Sequence, residues 1–204
     1  MKKTLLLLVA ILATLNSFAQ EEYPEIVTLQ PKIGVNVANV TYGNNDPRVG
    51  LAVGLELEYR ISKVVSFSCA AIYSMQGDKG TGYVDGYGKV KVTEKVDYIN
   101  FPILVNLYVV KGLSIRTGFQ PAMNVLARVN AKVGGREAEK SFSDLIGVTP
   151  NTFDMSIPFG IAYDFNGLVV EGRYNLGLSN MIDNTYASCK NSVFQFTIGY
   201  KFEL

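Results

Sequence analysis

The sequence predicts an all-β protein, a closed eight-stranded antiparallel up-and-down transmembrane β-barrel preceded by a signal peptide. Three observations predict it. An apolar leader with a small-residue cleavage site opens the chain. Apolar and polar residues then alternate with period two across most of 30–204. Tight turns also alternate with long polar loops along that stretch.

In the leader, Lys2 and Lys3 precede an apolar run from Leu5 to Leu15 that only Thr14 interrupts. Ser17 and Ala19 are small residues placed for cleavage between Ala19 and Gln20, so residues 1–19 read as an export signal. The run is shorter than the ~20 apolar residues of a spanning helix. Residues 20–29, polar and containing Pro24, read as a short periplasmic N-terminal tail, and 30–204 as the barrel. Cleavage removes two lysines and no acid, leaving 17 basic residues against 18 acidic ones. No later stretch is apolar enough for a spanning helix, so the mature chain is either an exported soluble protein or a barrel.

Eight strands follow, at 30–41, 49–61, 64–76, 92–110, 113–125, 153–165, 168–179 and 192–204, with 92–97 a candidate loop or extension above the membrane. They exceed the ~5–6 residues usual in globular proteins. Ile61 to Val64, Lys111-Gly112 and Asn166-Gly167 are hairpin turns. The connections at 42–48, 77–91, 126–152 and 180–191 are long. An even strand number with short turns at one end puts both termini on the periplasmic side. The 126–152 loop mixes Arg128, Lys132, Arg136 and Lys140 with Glu137, Glu139 and Asp144, and Ser143 to Ile146 could form a short helix there.

One strand face carries no charge, as in Leu51, Val53, Leu55 and Leu57, or Phe159, Ile161, Tyr163 and Phe165. The other mixes glycine and serine with Glu56, Glu58, Arg60, Arg116, Asp154, Glu171, Arg173 and Lys201. Eight strands enclose room for side chains only. Small residues there leave space for a few ionised groups, which must pair because isolated charges in a dry interior are costly. These eight residues are therefore read as a lumen charge network. The apolar face, too bulky for such a lumen, points to lipid. A lipocalin-like soluble barrel with that face turned inward is the alternative. Thr197, Gly199, Phe202 and Leu204 in the last strand form a candidate C-terminal signal for the barrel assembly machinery.

Composition narrows the chemistry. Hydrophobic residues make up 48% and charged residues 18%, with 19 glycines and neither His nor Trp. This excludes disorder, collagen, coiled coils and disulfide scaffolds. Nineteen basic against 18 acidic residues leave no field for nucleic acid. Without His, serine–histidine hydrolysis has no base. Cys69 and Cys189 are too few for structural zinc and read as independent thiols. Gly77, Gly80, Gly82, Gly86 and Gly88 crowd one loop, but no Lys-Ser/Thr follows to make a phosphate cradle. No catalytic residue, cofactor or metal ligand is expected.

Tyr98-Ile99-Asn100-Phe101-Pro102-Ile103-Leu104-Val105, Phe153-Asp154-Met155 with Gly160, Glu171 to Leu178, and Phe194 to Phe202 resemble stretches of the PorT-like and related small outer-membrane β-barrel domain proteins of the Bacteroidetes, with OmpX- and OmpA-type barrel architecture. Asn100 stands where that family carries an acid. The resemblance implies a cell outer-membrane location and contact with outer-membrane lipid and lipopolysaccharide. It also raises a role as an accessory component of a secretion or surface-assembly complex. From the residues themselves, the expected function is a non-enzymatic barrel that stabilises the envelope or binds partners through its long loops. A lipid-modifying enzyme is the reading from another class.

Overall fold

The computed structural model describes residues 26–41, 45–84, 88–133, 136–141, 150–182 and 189–204. The cleavage site at Ala19 and Gln20 and the expected helix near Ser143 lie outside them. The alternation emerges as twelve antiparallel strands: β1 (Ile26–Val40), β2 (Asp46–Arg60), β3 (Val65–Gln76), β4 (Asp78–Val84), β5 (Gly88–Asn100), β6 (Ile103–Val110), β7 (Leu113–Val133), β8 (Arg136–Ser141), β9 (Phe153–Phe165), β10 (Leu168–Gly177), β11 (Asn191–Tyr200) and β12 (Phe202–Glu203). No helix occurs among the described residues.

Most strands pair antiparallel with the next passage of the chain. β1 pairs β2 from Ile26↔Arg60 to Ala38↔Arg48. β11 returns to β1, from Lys32↔Gly199 to Val40↔Asn191, so the ladder runs round a ring. Two local causes interrupt the strands, the second of them within the expected strand 92–110. Gly77, at φ 119°, separates β3 from β4. Pro102, which has no N–H to give a ladder, separates β5 from β6. The tight turns match the expectation: Asn166 (φ 52°) and Gly167 (φ 94°) both take the left-handed conformation of a two-residue hairpin.

Three expectations are corrected. β1 begins at Ile26, so the last residues of the expected tail are strand, paired to β2 and, at Thr28 and Leu29, to β12. Most of the expected 77–91 loop is β4 and the start of β5, including Gly80 and Gly82. The expected 126–152 loop begins with the end of β7 and β8. These segments form a ribbon that rises beyond the ring at the long-loop end, because β4, β5, β7 and β8 satisfy one another's backbone groups.

The ring is inside-out relative to a water-soluble protein. Ile103 is 58% exposed, Phe119 63% and Phe159 61%, whereas Glu56 and Asn36 are fully buried. Apolar side chains clothe the whole outer wall, far beyond the patch a soluble monomer leaves uncovered. Aromatic pairs stand at the short-turn rim: Tyr163–Phe165 at 4.2 Å and Tyr200–Phe202 at 5.0 Å between ring centres. Cys69 is exposed on this wall, and Cys69 and Cys189 are both free thiols.

Candidate functional site

The inward positions converge on a buried ionic cluster at mid-height. Glu56 and Glu58 point inward because they sit two apart on β2, and Arg116 on β7 and Glu171 on β10 share that side. Lys32 Nζ donates to Glu56 at 2.7 Å and to Glu171 at 2.8 Å. Arg116 reaches all three glutamates: Glu56 at 2.8 Å, Glu171 at 3.5 Å and Glu58 at 3.7 Å. Arg173 lies 3.6 Å from Glu171 and donates to Gln195.

Lys201 extends the cluster toward the short-turn end, lying 2.7 Å from Glu58 and 3.4 Å from Asp164. Ser66 donates to Glu58 at 2.6 Å, and the Tyr108 hydroxyl donates to the same carboxylate. The Arg60 guanidinium stacks 3.8 Å above the Tyr108 ring. A cavity of about 440 Å³ opens at this end, with Glu58, Arg60, Asp164 and Lys201 in its wall.

The structure therefore brings Glu56, Glu58, Arg116, Glu171, Arg173 and Lys201 into one network. Arg60 joins through Tyr108. Asp154 stands apart: it accepts from Asn191 at 2.6 Å and from the Ser179 hydroxyl, a polar cluster nearer the long loops. Two buried cations escaped the sequence reading. Lys32 has the same parity as Gly34, Asn36 and Ala38, a signal that was present. Arg48 lay just outside the expected second strand; it is buried 3.2 Å from Asp97.

At the long-loop end the interior changes from ionic to apolar. Val40, Val96, Tyr98, Ala122, Val129 and Met181 form a buried cluster, with Ile182 and Cys189 against it. Met181 is tied down by the hydrogen bonds Asn151 N to Met181 O and Met181 N to Cys189 O, each 2.7 Å. The lumen is thus filled by paired charges below and covered by an apolar plug above.

Beside the plug, on the ribbon, Asp78 and Glu94 carboxyls share a hydrogen bond. Burial, then the neighbouring Asp78, pushes Glu94 up to about 7, and burial also raises Asp78. Burial, with help from these two acids, lifts the Cys189 thiol to about 11, so it stays protonated and unreactive near neutrality. The sign of the pH effect follows. Between Glu94's ordinary 4.5 and about 7 the folded ribbon holds a proton that the unfolded chain has released. Ribbon stability is therefore greatest below about pH 4.5 and falls as pH rises to about 7. Hydrogen exchange corrected for intrinsic rates is expected to show β4 and β5 amides losing protection over that window, and Glu94→Gln to flatten the change. Protection independent of pH in the unmodified protein would refute the shared proton.

Nothing in this cluster resembles an activated nucleophile. Glu56, Glu58 and Glu171 each face a cation, and no imidazole stands by as base. The ion pairs join β1, β2, β7 and β10 across the lumen.

The family model described as outer membrane protein beta-barrel domain matches residues 18–183. Among solved structures, the fold is similar to Ail, the attachment invasion locus protein of Yersinia pestis, solved in complex with the heparin analogue sucrose octasulfate: 8% identity, TM-score 0.50, covering 88% of this chain and 100% of that one. Neisserial surface protein A matches at 14% identity and TM-score 0.42, covering 86% and 97%. OprG from Pseudomonas aeruginosa matches at 11% identity and TM-score 0.39, covering 91% and 99%. No curated protein sequence matches the chain.

Proposed function

The chain belongs to the outer membrane protein beta-barrel domain family, and on that premise we propose that it is a non-enzymatic integral barrel whose charged lumen braces the wall and whose long-loop end meets partners. Its place is the outer membrane. The observation that carries the reading is the inverted burial: bulky apolar side chains outside, ion pairs within. Lipid replaces water as the outer solvent for such a wall.

The twelve segments group into eight staves, with β3 and β4, β5 and β6, β8 and β9, and β11 and β12 each one passage. Short turns then face the periplasm and the ribbon faces outward. Residues 1–19 act as the export signal, cut between Ala19 and Gln20. Thr197, Gly199, Phe202 and Leu204 serve the assembly machinery: Thr197 is inward, Phe202 and Leu204 are exposed on the wall, and the strand they close completes the seam with β1. The exposed apolar wall speaks against the lipocalin-like alternative, whose apolar face would turn inward around a guest. A role as accessory component of a PorT-like secretion system is the second reading, supported by the Tyr98 to Val105 stretch that lines β5 and β6.

Fractionation tests the main reading. The protein is expected in the carbonate-resistant membrane fraction, to shift in gel mobility on heating, and to give little or no conductance in planar bilayers. Recovery in the soluble periplasm, or a large stable pore, would overturn it. A stoichiometric partner captured from detergent would favour the second reading.

A further inference from the structure

One buried arginine of the lumen is short of partners. Arg173, on β10, is 3% exposed, and its Nε and Nη1 have no hydrogen-bond partner among the described residues. Its Nη2 donates to Gln195 on β11. Glu171 Oε1 lies 3.6 Å from Nη1, beyond a hydrogen bond. The other oxygen of that carboxylate is taken by Lys32 at 2.8 Å and approached by Arg116 at 3.5 Å. Asn175 follows two residues along β10 on the same inward face, about 7 Å on at the ~3.3 Å rise of a strand. It is equally buried, and neither its Nδ2 nor its Oδ1 has a hydrogen-bond partner among the described residues. Buried polar atoms left over by the protein are bonded by something else.

The neighbours of this pair offer it no acceptor. Gly160 faces Arg173 across the β9–β10 ladder, and a Cβ there would stand 3.1 Å from the Arg173 Cβ, so the arginine stem lies over bare backbone. Pro158 and Val193 face Asn175 from its two sides. Charge is also unevenly placed. The network holds four cations, Lys32, Arg116, Arg173 and Lys201, and four carboxylates, Glu56, Glu58, Glu171 and Asp164. At the short-turn end Lys201 lies against two carboxylates, Glu58 at 2.7 Å and Asp164 at 3.4 Å. Toward the long loops, Lys32, Arg116 and Arg173 share Glu56 and Glu171, with Glu58 reached only by Arg116 at 3.7 Å. Asp154, nearer the long loops again, is held by Asn191 and Ser179. One positive charge is thus in local excess at Arg173. In a dry interior such a charge is costly unless an opposite one meets it. Water would satisfy the orphaned N–H groups but not the charge.

We propose that Arg173 and Asn175 hold one small monovalent anion, a halide, inside the lumen between the ionic cluster and the apolar plug. Arg173 Nε and Nη1 and Asn175 Nδ2 donate to it. A single excess charge matches a monovalent ion, whereas a divalent oxyanion would reverse the imbalance. The site lies inside the ring, so it stands or falls whatever covers the outer wall, and its failure would leave the membrane reading untouched.

The test uses the full mature chain folded in detergent micelles, heated in sodium chloride, sodium bromide or sodium gluconate at equal ionic strength. The midpoint of the heat-modifiable transition is expected to be higher in either halide than in gluconate. The rise is expected to saturate with halide, reaching about 5 °C or more once the halide stands near 100 times its Kd. Asn175→Asp places a fixed carboxylate beside Arg173; it is expected to keep the folded band in gluconate and to lose the halide response. Crystals grown in bromide are expected to show an anomalous scattering peak between Arg173 and Asn175. Equal midpoints in the three salts would overturn the proposal, by leaving only water at the site. A halide response that Asn175→Asp keeps in full, or bromide peaks elsewhere and none at Arg173, would also overturn it. If Asn175→Asp does not fold, the bromide peak decides alone.

Discussion

Arg116→Met is expected to destabilise the folded barrel by about 3–5 kcal/mol, the usual cost of removing one partner from a buried ion pair. Arg116 is 1% exposed and touches Glu56, Glu58 and Glu171. Met fills much of the same volume, so the loss is charge rather than packing. Without the guanidinium, Glu56 keeps only Lys32, Glu171 keeps Lys32 and Arg173, and Glu58 keeps only Lys201 among the lumen cations. The measurement is the urea midpoint of the heat-modifiable species in micelles. Adding Glu56→Gln alone to Arg116→Met removes the carboxylate left in excess while Glu171 still pairs Lys32 and Arg173, and is expected to recover at least half of the loss. A drop below about 1 kcal/mol, the worth of an exposed pair, would mean that water reaches the cluster freely.

Most of this network was legible because the barrel obeys a rule of parity. Glu56, Glu58, Glu171 and Arg173 fall on the polar side of strands whose other side is apolar, and period two fixes which residues face the lumen. Partner identity was not legible. That Arg116 rather than Arg60 sits among the glutamates depends on how the staves are staggered, which alternation does not encode. Asp154 shares their parity but stands at a different height, among Asn191 and Ser179.

The ribbon was misread for a physical reason. On the wall, apolar residues face outward to lipid, as at Ile99, Phe101 and Ile103. Along β5 above the bilayer, Val90, Val92 and Val96 take the opposite parity, because the strand is now in water and must bury its inner side on the plug. Apolar parity thus inverts where the surroundings change from lipid to water. A reading that seeks one consistent face loses the strand there and reports a loop.

Gly34→Val is expected to leave no folded barrel at all. Gly34 lies in the seam, opposite Thr197 of β11 on one side and Ala52 of β2 on the other. A Cβ at this position would sit 1.9 Å from the Phe196 carbonyl oxygen and 2.7 Å from the Thr197 Cα. Both are backbone atoms, so no side chain can swing aside; β1 must move off β11. In water an open seam would expose backbone groups at modest cost. In hydrocarbon each unpaired group costs several kcal/mol, and a seam that parts over a few residues exceeds the whole margin of stability. Gly172→Ala makes the contrast. Its Cβ would meet only the Phe196 ring, at 3.4 Å, an ordinary contact. That variant is expected to fold with its heat-modifiable band intact, while Gly34→Val shows only the unfolded mobility. A folded band from Gly34→Val would mean that the first and last strands do not close on each other in the membrane.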